Sequence, residues 1–129
     1  MSRGLLDFIA IPESGGKYTA TWAHKGDRDF STMSLDEVIA DSLARGKKYG
    51  SGATGRYQFM GNTLKSLKRQ MGLTGTEPFT NDLQDTLAMR LLEKRGYQDY
   101  QQGKIDLPTF ARNLSMEWAG LPSGAHGRS

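Results

Sequence analysis

The sequence predicts an α+β fold that is mainly helical, with a small β-hairpin lobe beside a helical lobe. Apolar residues recur at helical spacing in several segments, most clearly at Leu83, Leu87 and Leu91. The stretch 17–23 (Lys-Tyr-Thr-Ala-Thr-Trp-Ala) is instead rich in β-branched and aromatic residues, which is typical of strands. A cleft between two such lobes is a common place for an extended ligand.

Length and composition indicate one domain without cofactor chemistry. The chain has 129 residues, the size of one domain; we expect a catalytic domain over 1–122 and a disordered tail over 123–129. It has no cysteine, which excludes disulfides and zinc–thiolate sites. Its two histidines, His24 and His126, are too few for a histidine-rich metal site. We therefore expect no cofactor and no metal.

Charge and hydropathy narrow the set of partners. The net charge of +3 and the pI near 9.3 favour an acidic partner surface, such as nucleic acid, anionic lipid or an anionic cell-wall polymer. A basic protein without such a partner is equally compatible with charge alone. No signal peptide is visible, and no segment has the roughly 18 apolar residues of a membrane span. The sequence does not decide whether the protein is exported, and membrane insertion is not expected.

The first predicted helix covers residues 4–12. Its spacing places Leu5, Phe8 and Ile9 on one face. Pro12 and the following glycine pair at 15–16 are expected to break the helix.

The next segment is predicted to form the hairpin. Residues 17–23 would be the first strand, 24–29 a polar turn and 30–32 (Phe-Ser-Thr) the return strand.

The second and third helices have clear start signals. Ser34 followed by Glu37 is a capping box, with the serine as N-cap. The helix that follows is expected to end at Gly46, and a flexible basic loop to cover 47–52. A third helix is predicted from about Tyr57 to Met71.

Two further helices complete the prediction. One starts near Thr80 and ends at Gly96. The last is opened by Asp106 and stopped by residues 120–122 (Gly-Leu-Pro). Its apolar stripe consists of Leu107, Phe110, Ala111, Leu114 and Trp118.

Glu13 is the first candidate for chemistry. It follows an apolar helix and precedes loose backbone, so we expect it at the mouth of a core element, partly anchored and partly exposed. Such a setting can raise the pKa of a carboxyl group by desolvation and still leave it open to a substrate. The alternative is a surface glutamate near a helix end.

The tetrapeptide 55–58 (Gly-Arg-Tyr-Gln) is the second informative stretch. Small residues precede it and let the backbone come close to a ligand or another segment. Gln58 has an amide that suits the N-acetyl groups of amino sugars, and Tyr57 offers a flat face for a sugar ring. The alternative is that Tyr57 packs in the core and Gln58 caps backbone groups.

Three short motifs occur in a recognisable order. They are 13–16 (Glu-Ser-Gly-Gly), 55–58 (Gly-Arg-Tyr-Gln) and 118–122 (Trp-Ala-Gly-Leu-Pro). Their order and spacing resemble the lysozyme-like superfamily, most closely the lambda phage endolysin-type proteins and related bacterial and phage muramidases. The resemblance spans roughly residues 4–122 and implies a lysozyme-like fold.

The resemblance also implies an activity. It implies cleavage of the β-1,4 bond between N-acetylmuramic acid and N-acetylglucosamine in peptidoglycan. Glu13 matches the catalytic glutamate and would be the general acid. The implied partner is the peptidoglycan glycan strand, met by a monomer in the periplasm or cell wall.

The second catalytic group is open at this stage. Asp27 and Asp29 lie in the predicted turn and could face Glu13, and Asp27 followed by Thr32 fits the order with which some lysozymes position water. In that case the enzyme is a hydrolase. The alternative is that both aspartates only form a turn. The enzyme would then be a lytic transglycosylase that makes 1,6-anhydromuramyl ends with Glu13 alone.

Substrate contacts are expected from residues near the predicted cleft. Tyr18, Trp22 and Tyr57 would be sugar platforms, Gln58 would bind N-acetyl groups, and Arg56 would meet muramyl or stem-peptide carboxylates. Trp22 and Arg56 are equally compatible with structural roles.

Two rival functions follow from other readings of the same residues. A catalytically silent glycan-binding module would bind sugar without turnover, and the position of Glu13 argues against it. A nucleic-acid-binding domain is disfavoured because the basic residues are spread along the chain and no reader motif is present.

Overall fold

The computed structural model describes residues 3–21, 28–119 and 121 and is mainly helical, as predicted. Six helices occur in this part of the chain: α1 (Arg3–Ser14), α2 (Leu35–Tyr49), α3 (Gly61–Gln70), α4 (Asn81–Lys94), α5 (Tyr97–Gln101) and α6 (Leu107–Leu114).

Helix α1 extends two residues beyond the predicted end. Pro12 lies inside its last turn, where the missing N–H interrupts a single backbone bond. Gly15 ends the helix instead: it has a φ of 69°, and its N–H donates to the carbonyl of Ile11 at 2.9 Å. Glu13 is therefore part of the helix.

The buried face of α1 differs from the predicted one. Leu6, Ile9 and Ala10 are fully buried, whereas Phe8 is 51% exposed. The expectation for Phe8 was wrong because helical spacing identifies a stripe but does not locate its centre against the neighbouring helices.

Helix α2 confirms the capping box and corrects the helix end. The Ser34 hydroxyl accepts from the Glu37 N–H, and the Glu37 carboxylate accepts from the Ser34 N–H. The helix continues through Gly46, since one interior glycine costs only about 1 kcal/mol. It ends at Gly50, whose φ of 91° gives a left-handed cap.

The start of helix α3 differs from the predicted one, whereas the start of helix α4 agrees with it. Helix α3 begins at Gly61 rather than Tyr57, because residues 55–58 form a tight turn. The residues flanking that turn, Thr54 and Phe59, exchange two backbone hydrogen bonds of 3.0 and 2.8 Å. Helix α4 has Thr80 as its N-cap, as predicted.

The last two helices differ more from expectation. The short helix α5 was not predicted, because five residues after Gly96 carry too little periodicity. Helix α6 has Asp106 as its N-cap, but Leu107 is 59% exposed. Trp118 lies beyond the end of α6 and is still buried.

The β-hairpin is not confirmed. Residues 17–21 and 30–32 form turns and extended backbone. One isolated antiparallel bridge joins Thr21 to Thr54. Residues 22–27, which include Trp22, lie outside the described part of the chain, as does the tail from 122 onward.

A single core joins the described helices. Phe79 makes edge-on contacts with Phe30 and Phe59, at centroid distances of 6.1 and 6.5 Å. Phe59 in turn lies 5.8 Å from the ring of Tyr57. These rings fix the 55–58 turn against the helices. Within the described residues, no helix combines the length and the apolar character needed to cross a membrane.

Candidate active site at the end of α1

Glu13 lies in the last turn of α1 and is half-buried. The sequence placed it just after the helix; the structure includes it in the helix, and its place in a cleft stays a prediction. The backbone on its C-terminal side turns sharply through Gly15 and Gly16, both with positive φ.

Ser14, the next residue, ties this helix end to the 55–58 turn. Its hydroxyl oxygen lies 2.5 Å from the carbonyl oxygen of Arg56 and 3.2 Å from that of Ala10. The same hydroxyl accepts from the N–H of Gly16 at 3.2 Å. These bonds help to fix the end of α1, where the last carbonyls have no partner within the helix.

The Arg56 side chain makes a second tie from the same turn. Its guanidinium donates from Nε to the carbonyl of Gly16 at 3.1 Å and from Nη2 to Asp7 Oδ1 at 2.6 Å. Burial disfavours the charge, but the bonds to Asp7 and Tyr57 outweigh it and raise the pKa of Arg56 above its usual range. Arg56 is therefore a permanent cation braced against α1.

Tyr57 and Asp85 continue the network into α4. The Tyr57 hydroxyl accepts from Arg56 Nη1 at 2.8 Å and donates to Asp85 Oδ1 at 2.6 Å. Burial, followed by the bond to Asp85, raises the pKa of Tyr57 above its usual range. Asp85 also accepts from Tyr18 at 2.9 Å and from Arg3 at 2.7 Å. The buried carboxylate therefore has three donors.

The backbone of the 55–58 turn is held as closely as its side chains. Gln84 of α4 accepts from the Arg56 N–H at 2.9 Å and donates to the Tyr18 carbonyl at 3.1 Å. Gly55 has a φ of 79°, and a Cβ at this position would collide with the Gln84 amide. Trp118 donates from its indole to the Tyr57 carbonyl at 2.9 Å. The turn is thus fixed from two sides.

Gln58 is the half-exposed member of the turn. It is the only non-glycine residue with a positive φ, 51°, among the described residues, a strained conformation of the kind that clusters at functional sites. Its amide nitrogen donates to the carbonyl of Gly55 at 2.9 Å, which leaves its oxygen and second N–H available for other partners.

The predicted second catalytic group is only partly described. Asp27 lies outside the described residues, and Thr32 is exposed. Asp29 accepts from the Ser31 hydroxyl at 2.6 Å and from the Ser31 N–H at 2.9 Å. These bonds lower the pKa of Asp29, so it is ionised at neutral pH.

A polar cavity of about 720 Å³ lies beside this segment. It is lined by 16–19, directly after the end of α1, by Asp29 and Ser31, and by 80–82 at the start of α4. The cavity thus borders the segment that follows Glu13.

The structure brings some predicted site residues together and reassigns others. Tyr18, Arg56 and Tyr57 form one cluster, which Ser14 and Gly16 join to the helix turn of Glu13. Tyr57 is fully buried and Arg56 nearly so. Neither presents a face to a glycan in this conformation, and both support α1.

Sequence reasoning missed the part of the network contributed by α4. Gln84 and Asp85 are buried polar residues that precede Ala88, Leu91 and Leu92 on the buried side of α4. Polar side chains at helical spacing on an apolar stripe are the signal that could have revealed them, since buried polar groups are almost always bonded. No grouping of three potential metal ligands occurs in the described part of the chain.

The described part of the chain is a helical domain in which a half-buried acid at the end of α1 lies next to residues tied into a buried polar network. The chain matches the Endolysin family over residues 3–129, and it belongs to that family. It is therefore a phage-type enzyme that degrades peptidoglycan and acts on the cell wall. No individual curated protein and no solved structure gives a significant match.

Proposed function

We propose that this endolysin has a lysozyme-like fold and is a muramidase. It cleaves the β-1,4 bond between N-acetylmuramic acid and N-acetylglucosamine, with Glu13 as the general acid. In this mechanism the Glu13 carboxyl protonates the leaving glycosidic oxygen as the C1–O bond breaks through an oxocarbenium-like transition state.

The observation that carries the proposal is the setting of Glu13. It is half-buried in the last turn of α1, and contacts of Ser14 and Gly16 hold the backbone beside it. A general acid needs a place of this kind, held by the fold beside a surface that a substrate can reach.

Hydrolysis also requires a water molecule on the sugar C1. We assign the positioning of that water to Asp27 and Thr32, with Asp29 as the neighbouring carboxylate. The water oxygen bonds to C1, and one of its protons passes to the Asp27 carboxylate. The proton of Glu13 leaves with the departing sugar. Support comes from the exposure of Thr32 and from the polar cavity that Asp29 borders.

Substrate contact falls to the half-exposed members of the site. Tyr18 offers part of its ring, and Gln58 offers its amide oxygen and second N–H for hydrogen bonds to an N-acetyl group. The buried Arg56 and Tyr57 are assigned to support rather than contact.

Clearing of purified peptidoglycan by two matched variants tests the proposal. Glu13→Gln keeps the shape of the side chain and removes the proton, so it should abolish clearing without changing the melting temperature. Glu93→Gln makes the same change at an exposed site of α4 and should clear normally. Clearing by Glu13→Gln at the wild-type rate would refute the assignment.

A lytic transglycosylase is the second candidate. It is favoured by the Asp29 carboxylate, which is engaged by Ser31 rather than held open for water. In that reaction the glycosidic C1–O bond breaks as Glu13 protonates the leaving sugar; the muramyl 6-hydroxyl oxygen then bonds to C1 and its proton passes back to Glu13, which gives a 1,6-anhydro end.

The products distinguish the two reactions. Digestion in water enriched in ¹⁸O, followed by mass spectrometry, should give reducing ends that carry one heavy oxygen. Anhydro ends without heavy oxygen would establish the transglycosylase instead.

A further inference from the structure

We propose that the hydroxyl of Tyr57 is a positioning group. It links Asp85, which is buried in α4, through Arg56 to the helix turn that carries Glu13. This inference rests on the proposed role of Glu13 as the acid. It gives a function to a buried tyrosine that cannot itself contact the glycan.

Within the described residues, the Tyr57 hydroxyl is the atom that hydrogen-bonds directly to both the Asp85 carboxylate and the Arg56 guanidinium. It accepts from Arg56 Nη1 at 2.8 Å and donates to Asp85 Oδ1 at 2.6 Å. Because a phenol has one proton and can also accept, both bonds form at once. Removing this oxygen therefore breaks the direct link between two parts of the network, which stay connected through Gln84 and the Tyr18 ring.

The first part would hold Asp85 in α4. Without the Tyr57 hydroxyl, the carboxylate would still accept from Tyr18 and Arg3. Asp85 would thus stay paired in its buried place, and the fold should survive the change.

The second part would hold the end of α1. Arg56 would keep its bonds to Asp7 and to the carbonyl of Gly16 and its place over the Tyr18 ring, but it would lose its hydrogen bond on the side of α4. Asp7 is 47% exposed, so it is a weak anchor by itself. The end of α1 would then depend on Ser14 and on a guanidinium that has lost one of its three hydrogen-bond acceptors.

Such a loss should affect turnover more than binding. Glu13 lies between the residues tied to Arg56, and the last turn of a helix is where backbone opens most readily. A displacement of about 1 Å at an acid can cost roughly 100-fold in rate. The half-exposed Tyr18 and Gln58, which we assign to the substrate, keep the other bonds that hold them.

The test compares Tyr57→Phe with Tyr97→Phe. Tyr97→Phe likewise removes a phenolic hydroxyl, one that accepts from Gln101 at 3.0 Å in α5, away from the network of Arg56 and Asp85. Steady-state kinetics use soluble oligosaccharides of alternating N-acetylglucosamine and N-acetylmuramic acid, with wild type and Glu13→Gln measured in parallel. Amide hydrogen exchange of the segment 10–17 is measured on the same samples.

The proposal predicts that Tyr57→Phe lowers kcat roughly 10- to 100-fold with KM within about two-fold of wild type, and that exchange of 10–17 becomes faster. Tyr97→Phe should match wild type in both measurements. A Tyr57→Phe protein with wild-type kcat, or with unchanged exchange, would overturn the proposal. Failure of wild type to cleave, or activity of Glu13→Gln, would instead refute the proposed function.

Arg56→Lys is the second variant, and it is decisive if Tyr57→Phe does not fold. It keeps a cation next to Asp7 and loses the planar fork that reaches three acceptors at once. The same loss of kcat with a nearly unchanged KM is expected. A wild-type kcat for a folded Arg56→Lys protein would overturn the proposal.

Discussion

Two regions of this domain are held together by different forces. At the end of α1, charged and hydroxyl groups join three elements through Arg56, Tyr57 and Asp85. At the opposite end of the chain, α5 and α6 are joined by rings: Tyr100 stacks on Phe110 at 4.9 Å, and Tyr97 lies 6.0 Å from the same ring.

The difference between these regions is one of direction. Hydrogen bonds and ion pairs specify the angle and distance between their partners, whereas apolar packing mainly contributes stability and tolerates rearrangement. The polar region coincides with the proposed acid. We therefore expect changes in the polar region to reduce activity per folded molecule, and changes in the aromatic region to reduce stability alone.

Asp85→Ala should give the largest effect on stability. It leaves the buried Tyr57 hydroxyl without its acceptor and frees Arg3 from its carboxylate. A loss of about 3 kcal/mol in the free energy of unfolding is expected, since a buried donor without its acceptor costs about 1–3 kcal/mol and the bonds from Tyr18 and Arg3 are lost as well. Urea denaturation measures it. A loss below about 1 kcal/mol would show that the network adds little.

Phe110→Leu should come next and should break only the aromatic region. It removes the ring stacked on Tyr100 but keeps an apolar side chain, so a loss of about 1–2 kcal/mol is expected. Its kcat at a temperature where the protein is fully folded should equal that of wild type. Reduced kcat under those conditions would contradict the separation of the two regions.

Ser14→Ala tests the polar region by removing a single oxygen atom. The hydroxyl that bonds to the Arg56 carbonyl is lost, at a cost of about 1 kcal/mol. Because this bond lies next to Glu13, we expect a roughly 10-fold lower kcat from the altered placement of the acid. Ser14→Thr restores a hydroxyl and should recover most of that loss.

Asp106→Ala should have the smallest effect and should depend on pH. Hydrogen bonds from Thr109 lower the pKa of Asp106 in the folded state. The carboxylate therefore stabilises the fold above its unfolded pKa, and this contribution is lost as the pH falls through the folded pKa. The difference in melting temperature from wild type should be largest near pH 7 and should disappear in acid.

The elements that the sequence predicted well are those with local signals. The capping box at Ser34 and Glu37 and the N-caps Thr80 and Asp106 depend on side chains within three residues of each other. The glycine pair after α1 is also a local signal, although the helix includes Glu13 instead of ending at residue 12.

The features that were missed depend on distant partners. The 55–58 segment was expected to start a helix, but Thr54 pairs with Phe59 and Gln84 occupies the space beside Gly55. Asp85 meets Tyr57 across 28 residues of chain. Neither contact has a local signal, apart from polar residues on the apolar stripe of α4.

The most direct test is the loss of kcat relative to the loss of stability for Ser14→Ala and Phe110→Leu, measured on soluble glycan with fully folded protein. The account predicts that Ser14→Ala loses most of its turnover for a small loss of stability. It also predicts that Phe110→Leu loses stability and keeps its turnover. Equal loss of turnover in the two variants, or loss only in Phe110→Leu, would contradict it.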